Sequence, residues 1–260
     1  MVTTMVTPTP MADTNVARLA GAADIADVSD APLPTAALKK LLAWLSPNFP
    51  IGGFSYSHGL EWAVEDGTVT NATGLEAWLG DLLSHGAGWS DAVLFHHAHR
   101  ACARGDVAGA VAINELAVAL QPSRERHLES TAQGRAFLST VAATWPNDRL
   151  TVFAERLSEE DDVAYPVSAA VACAAHDIPA GPAANAYLAA FVANIVSAAA
   201  RAVPIGQTDC QRVIAALSSR VEHVAALSAS ADLGDLGGCV WLADIASMKH
   251  ETQYTRLFRS

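Results

Sequence analysis

The sequence predicts an all-α fold, arranged as a single globular domain of about eight to ten helices. Apolar residues recur with the 3.6-residue period of a helix in several long segments, and alternating strand patterns are almost absent. Alanine, which has the highest helix propensity, is abundant along the 260 residues. Because 51% of the residues are hydrophobic, the chain has ample material for a large core.

The elements follow in order along the chain. Residues 1–34 combine Thr, Pro, Ala and Asp with little periodicity, which predicts a disordered leader before a domain that spans 35–260. Four apolar stripes predict helices: Leu38, Leu41, Leu42 and Leu45; Leu75, Trp78, Leu79, Leu82 and Leu83; Val213, Ile214, Leu217, Val221 and Val224; Trp241, Ile245 and Met248. Breaks rich in Pro and Gly are predicted at 46–47, 86–88, 105–106, 121–122, 145–146, 179–182, 204–206 and 234–238.

Residues 183–203 form a nearly charge-free segment that is long enough to be tested as a membrane span. Its apolar content is mostly alanine, Asn185 and Asn194 interrupt it, and Arg201 lies near its end. These residues make membrane insertion unfavourable, so we predict a buried central helix and no membrane association.

The net charge of the chain indicates which kind of macromolecule it can bind. Lys and Arg total 16 against 27 Asp and Glu, which gives a formal net charge of −11. This acidity excludes a nucleic-acid binder that works by neutralising phosphates. Charged residues make up only 17% of the chain, so we expect other proteins to cover part of its surface.

Signatures of enzymatic chemistry are incomplete in this sequence. There is no GxxxxGK[ST] phosphate loop, and the segment 53–57, GFSYS, lacks the final glycine of a nucleophile elbow. His250 and Glu251 begin a zinc-protease motif, but Tyr254 occupies the position of its second histidine. We therefore predict no catalytic residues.

Two places in the sequence are weak candidates for metal binding. His96, His97 and His99 are close together in a helical segment, where they form either a labile metal site or a solvated face. His58 lies in a loop rich in Gly and Ser, where it either binds a metal transiently or donates a hydrogen bond within the loop. Neither is a firm metal site.

Three segments together resemble a known family. They are LSPNFPIGGFSYSHGLE at 45–61, PIGQTDCQ at 204–211 and HETQYTRLFRS at 250–260, and the segment from SRE at 123–125 to Gly134 adds a fourth likeness. These motifs resemble the signatures of the urease accessory protein F (UreF) family over about residues 36–260.

The resemblance implies a function as well as a fold. Proteins of this family are all-α, dimeric and cytosolic, and they are not known as enzymes. They bind the accessory protein UreD, also called UreH, and recruit the GTPase UreG to a complex that delivers nickel to apo-urease. This chain is then expected to be a scaffold and GTPase regulator without a tightly bound cofactor, and to help form a passage for Ni²⁺. The alternative is an autonomous nickel chaperone that uses His96, His97 and His99.

The resemblance also implies which residues act. The 250–260 tail is expected to dock on UreD, and its candidate contacts are Tyr254, Arg256, Leu257, Phe258 and Arg259. Alternatively, this segment folds back onto its own core. Glu61 and Arg201 are expected on the surface that faces UreG, although Arg201 could instead complement the dipole of its own helix.

The remaining motif residues have roles in the loops. Gly52, Gly53 and Gly59 are expected to shape the backbone, and Ser55 and Ser57 to cap the turn that follows. Gly206 belongs to the second motif loop. Gln207 and Asp209 either cap the next helix or form hydrogen bonds across an interface.

Overall fold

The computed structural model describes residues 33–260, so the predicted leader lies outside the described residues except for its last two positions. Within residues 33–260 the secondary structure is helical and contains no strand, which confirms the all-α class. The count agrees with the expected eight to ten helices once a six-residue helix, α2, is set apart.

The helices have the following bounds. They are α1 Thr35–Trp44, α2 Leu60–Glu65, α3 Ala72–His85, α4 Ala87–Ala103, α5 Val107–Ala119, α6 Arg124–Thr144, α7 Asp148–Ser158, α8 Tyr165–Ala175, α9 Ala180–Ala202, α10 Gln207–Ser228 and α11 Trp241–His250. Short 3-10 helices lie at Gly53–Ser55 and Leu233–Asp235. Every predicted break falls at or beside a helix boundary.

Side-chain caps explain where several helices begin. Asn71, Asp106, Ser123 and Asn147 each accept a hydrogen bond from a backbone N–H in the first turn that follows, at 2.8–3.1 Å. Such caps satisfy donors that have no partner within the helix. These four capping residues therefore fix where α3, α5, α6 and α7 begin.

The core is built around α8, whose residues 166–175 are all buried. This helix packs mainly against α4 and α6. The predicted central helix, α9, packs against α10, α4 and α8. Among the described residues it alone is long and apolar enough to cross a membrane, and half of its most apolar window is buried inside the domain.

The apolar stripe of α11 predicted the helix correctly but does not face the core. Trp241 is 69% exposed, and Ile245 and Met248 are each 49% exposed. The buried face of α11 is formed instead by small and polar residues, and His250 is completely buried at its end. As a result, the apolar stripe of α11 is exposed to solvent, whereas the imidazole of His250 is buried.

Candidate functional site

The tail, residues 250–260, folds back across the domain. The Arg259 N–H donates to the Ser55 carbonyl at 2.8 Å, and the Ser57 N–H donates to the Ser260 carbonyl at 2.7 Å. The Ser57 hydroxyl donates to the same carbonyl. The end of the tail is therefore held by the first 3-10 helix and the loop that follows it. Ser55 takes part through its backbone carbonyl, whereas the Ser57 hydroxyl accepts the Glu61 N–H at 3.2 Å, so the cap of the following turn comes from Ser57 and not from Ser55.

Glu61, on α2, is the main acceptor for the tail backbone. Its Oε1 accepts the Leu257 N–H at 2.7 Å, and its Oε2 accepts the Phe258 N–H at 3.0 Å. Glu61 is only 8% exposed, so its carboxylate lies beneath the tail and not on an open surface. Buried charge-assisted hydrogen bonds of this kind are strong, because water does not compete for the acceptor.

His250 joins Glu61 to a second buried carboxylate. Its Nε2 lies 2.9 Å from Glu61 Oε2, and its Nδ1 lies 2.6 Å from Glu125 Oε2. The ring donates to both carboxylates only when both of its nitrogens carry a proton. Arg256 donates to the other oxygen of Glu125 at 2.8 Å, so Glu125 is hydrogen-bonded on both of its oxygens.

The two faces of the tail differ in exposure. Phe258 is inserted and 5% exposed, whereas Tyr254 is fully exposed and Leu257 is 71% exposed. The exposed guanidinium of Arg201 lies over the Phe258 ring, 4.3 Å from its centroid, and donates to the Phe54 carbonyl at 2.7 Å. The inner face of the tail is thus folded back onto the domain, whereas its outer face is exposed and free to contact a partner.

The glycine loop allows α2 and α11 to approach each other closely. Gly52 and Gly59 have positive φ values of 71° and 77°. A Cβ atom at Gly59 would lie 2.9 Å from the backbone nitrogen of Ser247. Gly53 lies against the Asn194 side chain. Gly52 and Gly59 therefore shape the backbone, and the same role for Gly53 stays a prediction.

The second motif loop lies at the start of α10. Gly206 occupies the N-cap position, and no side chain caps this helix. Asp209 forms an exposed ion pair with Arg212 at 2.6 Å, and Gln207 is exposed. The capping alternative for Gln207 and Asp209 is therefore wrong, and their contact across an interface stays a prediction.

The three clustered histidines of α4 bind separate backbone carbonyls. They donate as follows: His96 to Ala225 (3.2 Å), His97 to Ala231 (3.0 Å) and His99 to Ile178 (2.8 Å). Arg100 donates to Ala229 at 3.0 Å. Three of these four side chains satisfy carbonyls at or just after the C-terminal end of α10, where a helix lacks internal partners.

The geometry of these histidines does not favour a shared metal. Each ring uses its Nε2–H on a different carbonyl, and His96 is 2% exposed. Among residues 33–260, no group of three or more His, Cys, Asp or Glu side chains could hold a metal ion. His58, the other weak candidate, is buried and pairs with Glu129 at 3.5 Å.

Two partly open cavities lie against His58, the residue that follows Ser57 in the loop that holds the tail. The first, of about 40 Å³, is lined by Glu129, Tyr165 and Tyr187 among others. The second, of about 170 Å³, extends towards Gln121 and Asp244. Both are large enough for water, since one water molecule needs about 10–15 Å³ of such volume.

Burial shifts the proton affinities of the groups between these cavities. Desolvation lowers the pKa of His58 to about 4, and Arg126 lowers it further, against the opposing effect of Glu129. Desolvation raises the pKa of Asp91 to about 6, although it accepts a hydrogen bond from the Tyr187 hydroxyl at 2.8 Å. At neutral pH the site therefore holds a neutral imidazole and a carboxylate that burial disfavours.

Asp91→Asn is expected to stabilise the protein increasingly as pH rises. Because the pKa of Asp91 is raised on folding from 3.8 to about 6, its stabilising contribution is present at low pH and is lost as pH rises through 6. The variant keeps an acceptor for Tyr187 but has no charge. Its unfolding free energy, relative to wild type, should increase by about 2 kcal/mol between pH 4.5 and 7.5, measured by urea unfolding.

Asp81→Asn, at an exposed carboxylate of α3, is the matched control for the loss of one charge. If the Asp91→Asn difference stayed constant over this pH range, burial would not control this carboxyl group.

The sequence did not identify several members of this site. Glu129, Arg126, Asp91 and Tyr187 were not predicted, and Glu125 was noted only as part of the SRE segment. One signal was available: Glu125 and Glu129 are four residues apart and share a face of α6. Nothing in the sequence showed that this charged face is buried.

Comparison with known proteins places the chain in a family. The UreF family model matches residues 69–218, a range that contains neither the glycine loop nor the tail. The urease accessory protein UreF of Rhodopseudomonas palustris strain BisB18 is 52% identical over 227 residues, which cover 86% of this chain and 92% of that protein. The chain belongs to the UreF family of urease accessory proteins.

Other UreF relatives are similarly close. The urease accessory protein UreF of Methylobacterium sp. strain 4-46 is 50% identical over 220 residues, with 85% of this chain and 87% of that protein covered. That of Bradyrhizobium sp. strain ORS 278 is 49% identical over 225 residues, with 86% and 92% covered. The resemblance drawn from the motifs is therefore confirmed at the level of the UreF family.

Proposed function

We propose that this chain is a non-enzymatic, cytoplasmic scaffold that joins UreD (UreH) and the GTPase UreG in a complex that delivers nickel to apo-urease. It works as a homodimer and regulates the GTPase. Ni²⁺ moves through it as cargo and does not stay bound as a cofactor. The observation that supports this proposal best is the set of exposed apolar side chains on α11 and on the outer face of the tail.

The surface proposed for UreD combines α11 with the outer face of the tail. Trp241, Leu242, Tyr254 and Leu257 are each more than 60% exposed. Exposed aromatic and aliphatic side chains beside arginine are typical of binding hot spots. The tail is held by its inner face, so a partner meets an ordered surface and loses little conformational entropy on binding.

The surface proposed for UreG includes Arg201. Its guanidinium is exposed but is already positioned by the Phe258 ring and the Phe54 carbonyl. Glu61 was expected on the same surface, but it is buried beneath the tail. We therefore assign the direct contact to Arg201, and to Glu61 the role of holding the tail beside it.

The proposed nickel passage uses the two cavities that meet at His58. Their linings include carboxylates, hydroxyls and His58, which are oxygen and nitrogen groups that bind a divalent cation weakly when they are scattered. Weak, scattered contacts suit a cargo that must leave again. The alternative of an autonomous chaperone based on His96, His97 and His99 gains no support, because those rings serve backbone carbonyls.

The double variant Tyr254→Ala/Leu257→Ala is expected to lose UreD while the fold is retained. Both side chains are exposed, so their removal leaves the inner contacts of the tail intact. Removal of two hot-spot residues should weaken binding at least about tenfold. Co-purification with UreD and UreG, followed by nickel-dependent activation of apo-urease, measures both effects.

The matched control is Leu128→Ala/Val152→Ala, which removes two exposed apolar side chains from α6 and α7. Unchanged capture of UreD by the tail variant would refute the proposed surface. A truncated form that ends after Met248 should also lose UreD.

A further inference from the structure

The two cavities share a wall of three side chains. His58, Asp91 and Arg126 line both of them. All three residues are buried, with exposures of 5%, 8% and 6%. The wall therefore carries an imidazole, a carboxyl group and a guanidinium between two spaces that can hold water.

Each side chain of the wall is held by a neighbour. Arg126 and His58 both pair with Glu129, on the next turn of α6. Asp91 is held by the Tyr187 hydroxyl. The His58 ring packs edge-on against Phe191 at a centroid distance of 5.0 Å.

The backbone at His58 is in the left-handed region, with φ of 60°. Residues other than glycine rarely adopt this conformation, and the surrounding structure must hold them there. The residue before His58 is Ser57, which binds the Ser260 carbonyl through both its N–H and its hydroxyl.

The end of the tail reaches the wall from a second direction. The Ser260 hydroxyl donates to Glu129 Oε2 at 2.6 Å. Glu129 is the carboxylate that pairs with both His58 and Arg126. One residue of the tail is thus hydrogen-bonded to the backbone that precedes His58 and to the carboxylate that holds its ring.

We propose that the docked tail sets an internal partition: it holds His58 and Glu129 in the wall between the two cavities, and its displacement joins the cavities. In the docked state the Arg126 cation lies in the path between them and opposes the passage of a divalent cation. When the tail leaves, Glu129 loses the Ser260 hydroxyl and the backbone before His58 loses the Ser260 carbonyl, and the wall opens. The proposed control of the wall by the tail rests on the proposed function only where it takes Ni²⁺ as the ion that passes.

The test compares His58 and Asp91 by NMR titration of the isolated chain, with and without residues 257–260. In wild type we expect a pKa near 4 for His58 and near 6 for Asp91. Deletion of the four residues should move both towards ordinary values by at least about one pH unit, upward for His58 and downward for Asp91. Tyr254→Ala, on the outer face, should change neither.

Asp91 makes the test specific, because its hydrogen-bond partner, Tyr187, lies on α9 and not on the tail. If His58 alone moved, the tail would merely cover that ring and the partition would be refuted. No change at either group would also refute it. If the deletion variant does not fold, Phe258→Asp keeps the length of the chain and expels the tail by burying a charge. Because the test uses no UreD, UreG or nickel, its failure leaves the proposed function untouched.

Discussion

Glu61→Ala should release the tail and lower the unfolding free energy by about 3 kcal/mol. The carboxylate accepts the N–H groups of Leu257 and Phe258 and faces the imidazole of His250. Its removal leaves three donors without this acceptor, of which the Phe258 N–H and the His250 ring are buried, and the tail can satisfy its own two only by moving into water. Urea unfolding measures the stability, and hydrogen exchange of peptides from residues 250–260 measures the release.

Glu76→Ala is the matched control, because Glu76 is an exposed glutamate within α3. Its effect should remain within about 0.5 kcal/mol. Slow exchange of the tail amides in the Glu61→Ala chain would show that Glu125 and the loop pairing hold the tail without α2. Glu61→Gln keeps one acceptor and should lie between the alanine variant and wild type.

Gly134→Ala should destabilise the domain by about 3 kcal/mol or more. A Cβ atom at this position of α6 would lie 2.0 Å from the Val163 carbonyl oxygen and 2.7 Å from backbone atoms of the next two residues. These are backbone atoms, and the Asn114 side chain holds the same segment with hydrogen bonds of 2.8 Å to the backbone of residues 162 and 164. The segment cannot move aside without breaking these bonds.

Gly181→Ala, in α9, is the matched control, since no atom lies within 4 Å of its added Cβ. It should be neutral or stabilising by about 0.5–1 kcal/mol, because alanine restricts the unfolded chain and favours helix. Thermal and urea unfolding of both variants give the comparison. A Gly134→Ala protein as stable as wild type would mean that α6 and the 163–165 segment can separate freely.

The helices could be predicted because their signals are local. The period of Leu75, Trp78 and Leu79 and the breaks at Pro and Gly act within a few residues, and α3 and its neighbours follow them. Local signals do not specify which face is buried. The stripe of Trp241, Ile245 and Met248 has the period of a core helix but lies at the surface, where only a partner could bury it.

The site could not be predicted because its members meet only in the folded chain. His250 lies 189 residues from Glu61 and 125 from Glu125 along the sequence. The composition of the tail, aromatic and basic, fits a partner-binding segment and an inward-folding one equally well. The backbone contacts of residues 257–260 fold the inner face of the tail onto the domain, and backbone contacts leave no mark in side-chain identity.

The position of the tail in the chain has a consequence for biosynthesis. Its docking site is assembled from the 55–57 loop, α2, the start of α6 and the end of α11, so it draws on both halves of the domain. Residues 251–260 leave the ribosome after all of these elements. A partner that recognises the outer face of the docked tail therefore recognises only chains in which all of these elements have been made and have folded together.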